Sequence, residues 1–146
     1  MPPSQNVSIG LLSDEDIPVS FRVMSKSFGQ DAPFVNIYFP RHDTSEGQKQ
    51  GSKRLLEWKK SAPNSTFLKA TTKDVQGEEI IIGMAIWTHM TEIPSPKLEE
   101  VEDAEAVWPD LEDRGFMANL WKDYVIPRTE AIKKSRGKGI YGKRPL

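Results

Sequence analysis

Residues 65–90 read STFLKATTKDVQGEEIIIGMAIWTHM, two runs rich in β-branched and aromatic residues around a polar, glycine-containing turn. The pattern predicts a β-hairpin whose loop, over about residues 73–79, is too long for a two-residue turn, so a bulge or an open loop is expected. The second run constrains the fold most. Ile80, Ile81, Ile82, Met84, Ala85, Ile86 and Trp87 are almost continuously apolar where a half-buried strand would alternate. That predicts a core strand covered on both faces, with helices lying on the sheet.

The elements before the hairpin fit this requirement. Residues 7–12 are apolar at their centre and predict a first strand. Ser13 opens SDED, a helix-start signal; Pro18 favours Asp16 as the cap, because proline is tolerated in the first turn where its missing N–H costs nothing. Ile17, Phe21, Met24 and Phe28 then fall on one helical face, and Gly29 ends it. The aromatic segment 34–38, closed by Pro40, is a loop or a single helical turn. Residues 42–51 are polar and contain glycine. They lead into KRLLEWKK, a second helix that should stop near the Ala62-Pro63 step.

After the hairpin, residues 91–113 hold three prolines and little regular pattern, with helix expected only within KLEEVEDAEAV. Phe116, Leu120 and Tyr124 place an apolar stripe on a following helix over 114–135, widened by Trp121 and Val125, which Pro127 should kink or split. Residues 136–146 form a basic, glycine-rich tail.

At 146 residues the chain predicts one domain, 1–146, able to bury a core without metal or disulfide help. It contains no cysteine, which excludes disulfides, thiolate zinc sites and cysteine nucleophiles. The first residues show no basic stretch followed by an apolar run, and no apolar segment is long enough for a bilayer, so a soluble, cytoplasmic protein with no membrane partner is expected. The net charge of −1 hides an asymmetry: nine acidic residues against Lys97 alone over 92–113, then nine basic residues against Asp123 and Glu130 over 114–146. The expectation is a solvated loop and tail that partly neutralise each other. With one aromatic, Tyr141, the tail is thin evidence for a stacking platform, so nucleic acid is not the expected partner.

The order strand, helix, helix, hairpin, carried by IGLLSDEDIPVSFRVMSKSF, FPRHDTSEGQKQGSKRLLEWKK and TFLKATTKDVQGEEIIIGMAIWTHM, resembles the N-terminal part of a fungal GCN5-related N-acetyltransferase (GNAT). The Ile81-Ile82-Gly83-Met84-Ala85-Ile86-Trp87 run is its most specific element, and the likeness extends over about residues 7–135. The resemblance implies an α/β (α+β) fold with a mixed, mainly antiparallel sheet, and transfer of acetyl from acetyl-CoA to the amine of a small molecule. That family holds the cofactor on a Gln/Arg-x-x-Gly-x-Gly/Ala turn at a helix N-terminus, where backbone N–H groups and the helix dipole bind pyrophosphate. Arg136, Gly137 and Gly139 give only part of that pattern, and Tyr141 stands at the second small position. The expectation is therefore an incomplete GNAT-like fold, truncated before the acetyl-CoA turn. The alternative is a non-catalytic remnant or partner-binding protein, open to self-association through an uncovered sheet edge.

Candidate site residues follow from position. His89 lies just past the central strand, beside Trp87 by the period-two rule, and imidazole titrates near neutrality; it and Glu92 are the candidate catalytic bases. Phe34 and Tyr38, with Phe39 beside them, and Trp87 are the candidate substrate-binding wall, with the Tyr38 hydroxyl orienting the acceptor. Trp108 should dock the acidic connection onto the domain. His42, Asp43 and His89 are too few and too separated for a metal site.

Overall fold

The computed structural model describes residues 6–143; residues 1–5 and the tail end at 144–146 lie outside that range. Strands β1 (Ser8–Leu11), β2 (Ser65–Lys73), β3 (Glu79–Met90) and β4 (Ile140–Lys143) form one sheet in the order β1-β2-β3-β4, and each pairing is antiparallel. Around it run α1 (Ile17–Phe28), α2 (Pro33–Tyr38), α3 (Ser45–Ser61), α4 (Ala104–Val107) and α5 (Leu111–Lys134). The expected α/β architecture of an antiparallel sheet with flanking helices is present.

Helix α1 begins and ends where its sequence signals put it. Asp16 occupies the cap position, but its carboxylate does not cap α1: Oδ2 accepts from Ser13 N at 2.9 Å and from Lys69 Nζ on β2 at 2.8 Å. Gly29 closes the helix with φ 57°, a conformation that favours glycine. The buried face, Ile17, Phe21 and Met24, packs onto β3 and α3, while Phe28 stays partly exposed.

Helix α3 starts well before KRLLEWKK. Thr44 caps it, accepting from Gly47 N at 3.1 Å. The two glycines that argue for a loop are instead points of close approach. A Cβ on Gly47 would stand 1.7 Å from Arg41 O, and one on Gly51 would stand 2.0 Å from Phe21 Cζ. Glycine lowers the helix propensity of this stretch by roughly 1 kcal/mol per residue, and the packing of α3 against α1 requires it there.

The central strand differs from expectation on one point. Phe67 pairs with Ile86, and Ser65 with Thr88, so these side chains share the face under α1, where Phe67, Ile86 and Thr88 are buried. Alternation sends Leu68, Ala85 and Trp87 to the other face, in line with Ile9 and Leu11 of β1. There Leu11 is 73% exposed, Ile9 66% and Trp87 46%, and Ile80 and Ile82 are also exposed. The continuous apolar run thus belongs to a strand covered on one face only. A register shift between Ala70 and Thr71 leaves Ile82 without a partner on β2, so the shift lies at the middle of the hairpin and not only at its loop.

The segment 91–113 is pinned rather than loose. Leu98, Ala104, Val107 and Trp108 are buried, and Trp108 Nε1 donates to Ile37 O at 2.6 Å, which docks the connection onto α2. Helix α5 runs through Pro127 without splitting, and its buried residues are Met117, Trp121, Val125 and Ile132. The expected stripe is therefore displaced by one position: Phe116 is 54% exposed, and Leu120 and Tyr124 are half-buried. The tail also departs from expectation. Residues 140–143 form β4 and extend the sheet beside residues 87–90 of β3.

Candidate functional site

His89 is held from three sides at the end of β3. Its N–H donates to Asn64 O at 3.0 Å and its carbonyl accepts from Asn64 Nδ2 at 2.9 Å. Its ring stacks on Tyr141 with centroids 4.6 Å apart and planes at 22°. Nε2 lies 3.0 Å from Lys138 O, and since a carbonyl only accepts, Nε2 carries the proton. Gly139 makes this contact geometrically available: a Cβ there would lie 2.7 Å from Met90 O and 2.8 Å from His89 Nε2. The nitrogen left as an acceptor is Nδ1, on a half-buried ring that shares the open face with Trp87 and Tyr141.

The other sequence candidates fall elsewhere. Glu92 is exposed beyond β3 and makes no bond among the described residues. Phe34 and Tyr38 stack at 5.7 Å on α2, within the core cluster that contains Ile86. Trp87 faces the other way from Ile86, so the three aromatic residues do not form one wall. The Tyr38 hydroxyl is directed at Glu102 Oε1, 3.4 Å away, and its ring is buried.

Tyr38 belongs to a knot that the sequence does not advertise. The Arg54 guanidinium lies 4.9 Å from the Tyr38 ring centroid, 5.0 Å from Phe39 and 5.2 Å from Trp108. It donates to Tyr38 O at 2.6 Å and to Glu102 Oε1 at 3.2 Å. One buried cation thereby joins α2, α3 and the acidic segment by stacking and charge-assisted bonds. Beside it opens a cleft of about 550 Å³ lined by Glu57, Trp58, Asn64, Glu99, Glu100 and Asp103, among others. Several of its carboxylates are already engaged: Glu102 with Arg54, Glu57 with Lys53, and Glu100 with Ser95 and Lys97. The Ser95 hydroxyl bond holds the Glu100 carboxyl below its ordinary value, with the Lys97 charge acting in the same direction.

A second histidine arrangement was also invisible in sequence spacing. His42 Nδ1 lies 2.6 Å from Ser25 Oγ, and Nε2 lies 3.0 Å from Asn36 Oδ1. Asn36 Nδ2 donates to Gln30 O at 2.8 Å, which fixes the amide orientation and makes Nε2–H the donor to Oδ1. In the neutral ring Nδ1 then receives the Ser25 proton. A serine held by a histidine that is oriented by an amide has the form of a nucleophile relay. Here Ser25 is 5% and His42 1% exposed, so the trio is closed to substrate and ties α1 to the turn before α3.

The acetyl-CoA expectation can be tested on the turn from Arg136 to Gly139. A pyrophosphate cradle needs free N–H groups at a helix N-terminus. These residues instead close the C-terminus of α5. Arg136 N donates to Lys133 O, Lys138 N to Ser135 O, and Gly139 N to Ser135 Oγ at 2.9 Å. Positive φ at Arg136, Gly137 and Gly139 makes the reversal, and β4 follows, not a helix. Among the described residues nothing fits the cofactor's phosphates, and no step is derived through it. No group of three or more metal-ligating side chains occurs among them either.

Comparison with known proteins returns no matching family model, no similar curated protein and no similar solved structure.

Proposed function

We propose that the chain is the acceptor side of a GNAT-like N-acetyltransferase acting on a small-molecule amine. The observation that supports this most is His89. Its Nε2–H is committed to Lys138 O, so Nδ1 is the basic atom, at the end of the central strand on the face that carries Trp87 and Tyr141. A base there can take the proton that an ammonium must lose before its nitrogen becomes a nucleophile. Trp87 and Tyr141 offer π faces to the same cation before it is deprotonated. The order of strands and helices and the antiparallel sheet support the family resemblance. The acetyl donor's phosphates have no seat among the described residues.

A second reading, a non-catalytic partner-binding sheet, is favoured by the exposure of Ile9, Leu11 and Trp87 on one face.

Calorimetric titration with acetyl-CoA and a thiol-release assay over a panel of primary amines separate the two. The cofactor should bind with Kd in the millimolar range or weaker, about −4 kcal/mol or less favourable. Amine-dependent thiol release lost in His89→Gln supports the catalytic reading. Release unchanged in that variant removes His89 from the role, and no release with any amine leaves the partner-binding reading.

A further inference from the structure

The edge of β3 next to β4 is only half used. Strand β4 pairs with residues 87–90 and ends at Lys143 opposite Trp87. Over residues 79–86 no strand lies on that side among the described residues. The direction of the main-chain groups follows from alternation. His89 N–H points to β2, where it meets Asn64 O, so the N–H and C=O groups of Thr88, Ile86 and Met84 point the other way. Thr88 meets β4; Met84 and Ile86 have no strand to meet.

The unused stretch is Ile80-Ile81-Ile82-Gly83-Met84-Ala85-Ile86, apolar on both sides of a central glycine. Gly83 is open: a Cβ there would meet only Ala70 Cβ, at 3.9 Å. Charge is uneven along the edge, with Glu78 and Glu79 at one end and Lys143, the last residue of β4, at the other. A parallel approach of an identical edge would set like charges together. An antiparallel approach sets Glu79 of each copy toward Lys143 of the other, and lays Ile80 against Ile86 and Ile82 against Met84 across the axis.

We infer that two copies of this chain pair along β3, antiparallel about a two-fold axis near Gly83, to form one continuous sheet. This gives the partner-binding reading its partner and does not depend on acyl transfer. The two-fold contact is isologous, so it closes at two copies and does not propagate.

Sedimentation equilibrium of the full chain over a wide concentration range, with amide hydrogen exchange on the same samples, tests the pairing. The expected mass rises from one chain to two. Protection of the Met84 and Ile86 amides rises with it, while the Ala85 and Trp87 amides, which face β2, are protected throughout. Met84→Pro removes an N–H that no described residue uses and should weaken pairing by roughly tenfold or more. Glu79→Lys should weaken it most at low salt, which keeps the inference testable if the proline variant is unfolded. A single-chain mass at every concentration would overturn the inference. So would an open series of larger oligomers, or two-chain pairing with no change at Met84 and Ile86.

Discussion

The two faces of the sheet are built from the same residue types and end in opposite states. Under α1, Phe67, Ile86 and Thr88 are enclosed with Phe21 and Leu55 in one cluster. On the other face Ile9, Leu11 and Trp87 have no layer over them. Composition alone cannot tell these faces apart. What distinguishes them is whether a helix with a matching apolar stripe is available, and α1 supplies one stripe for one face. The histidine with an uncommitted ring nitrogen lies on the open face, and the histidine with both nitrogens bonded lies in the covered layer.

The largest expected contrast comes from side-chain deletion on the two faces. Ile86→Ala should destabilise by about 2–5 kcal/mol, the cost of a cavity at a fully enclosed position. Ile82→Ala, two turns of the same alternation earlier in sequence rank but exposed, should cost less than about 1 kcal/mol. Urea unfolding of both variants checks this, and equal losses would break the distinction.

Glycines sharpen the comparison next. Gly51→Ala drives a methyl group into Phe21 and should cost about 1–3 kcal/mol by overpacking. Gly10→Ala, on β1 with nothing within 4 Å of the new atom, should be close to neutral. Thermal unfolding of the pair measures the difference.

The smallest effect concerns the ion pair between α1's start and β2. The hydrogen bond from Lys69 holds the Asp16 carboxyl below its ordinary 3.8, with the Ser13 bonds adding to it. A depressed carboxyl contributes stability above its unfolded value and loses it as pH falls through the lower folded value. The bond to Asp16 likewise raises Lys69 above 10.5, a contribution present below that value and lost as pH rises through the folded one. Lys69→Met should flatten the stability profile at both ends and change little at neutral pH, as expected for a pair near the surface.

Much of this fold is legible locally, and the rest depends on distant partners. Helix α1 can be read from Asp16, Pro18 and Gly29 because caps and breakers act on their own neighbours. The first turns of α3 cannot, because Gly47 and Gly51 are chosen by Arg41 O and Phe21, and those contacts exist only after folding. Strand β4 reads as a tail because four residues ending in glycine and lysine have little strand preference alone; pairing with β3 supplies it. On α5 the period was readable and the phase was not: Phe116 and Met117 are equally apolar, and the packing partner selects Met117. His89, Trp87 and Tyr38 are visible as candidates from composition and position. The Arg54 knot and the bonds that fix the His89 proton join residues far apart in sequence, so no local pattern marks them.

The claim on which both functional readings rest is that the sheet is covered on one face only. Hydroxyl-radical footprinting of the dilute native chain, read by mass spectrometry at each tryptophan, tests it most directly. Trp87 should be oxidised readily, and Trp108 and Trp121, 1% and 3% exposed, should be protected until the chain unfolds. Protection of Trp87 to the level of Trp108 would show a covered face and contradict the account.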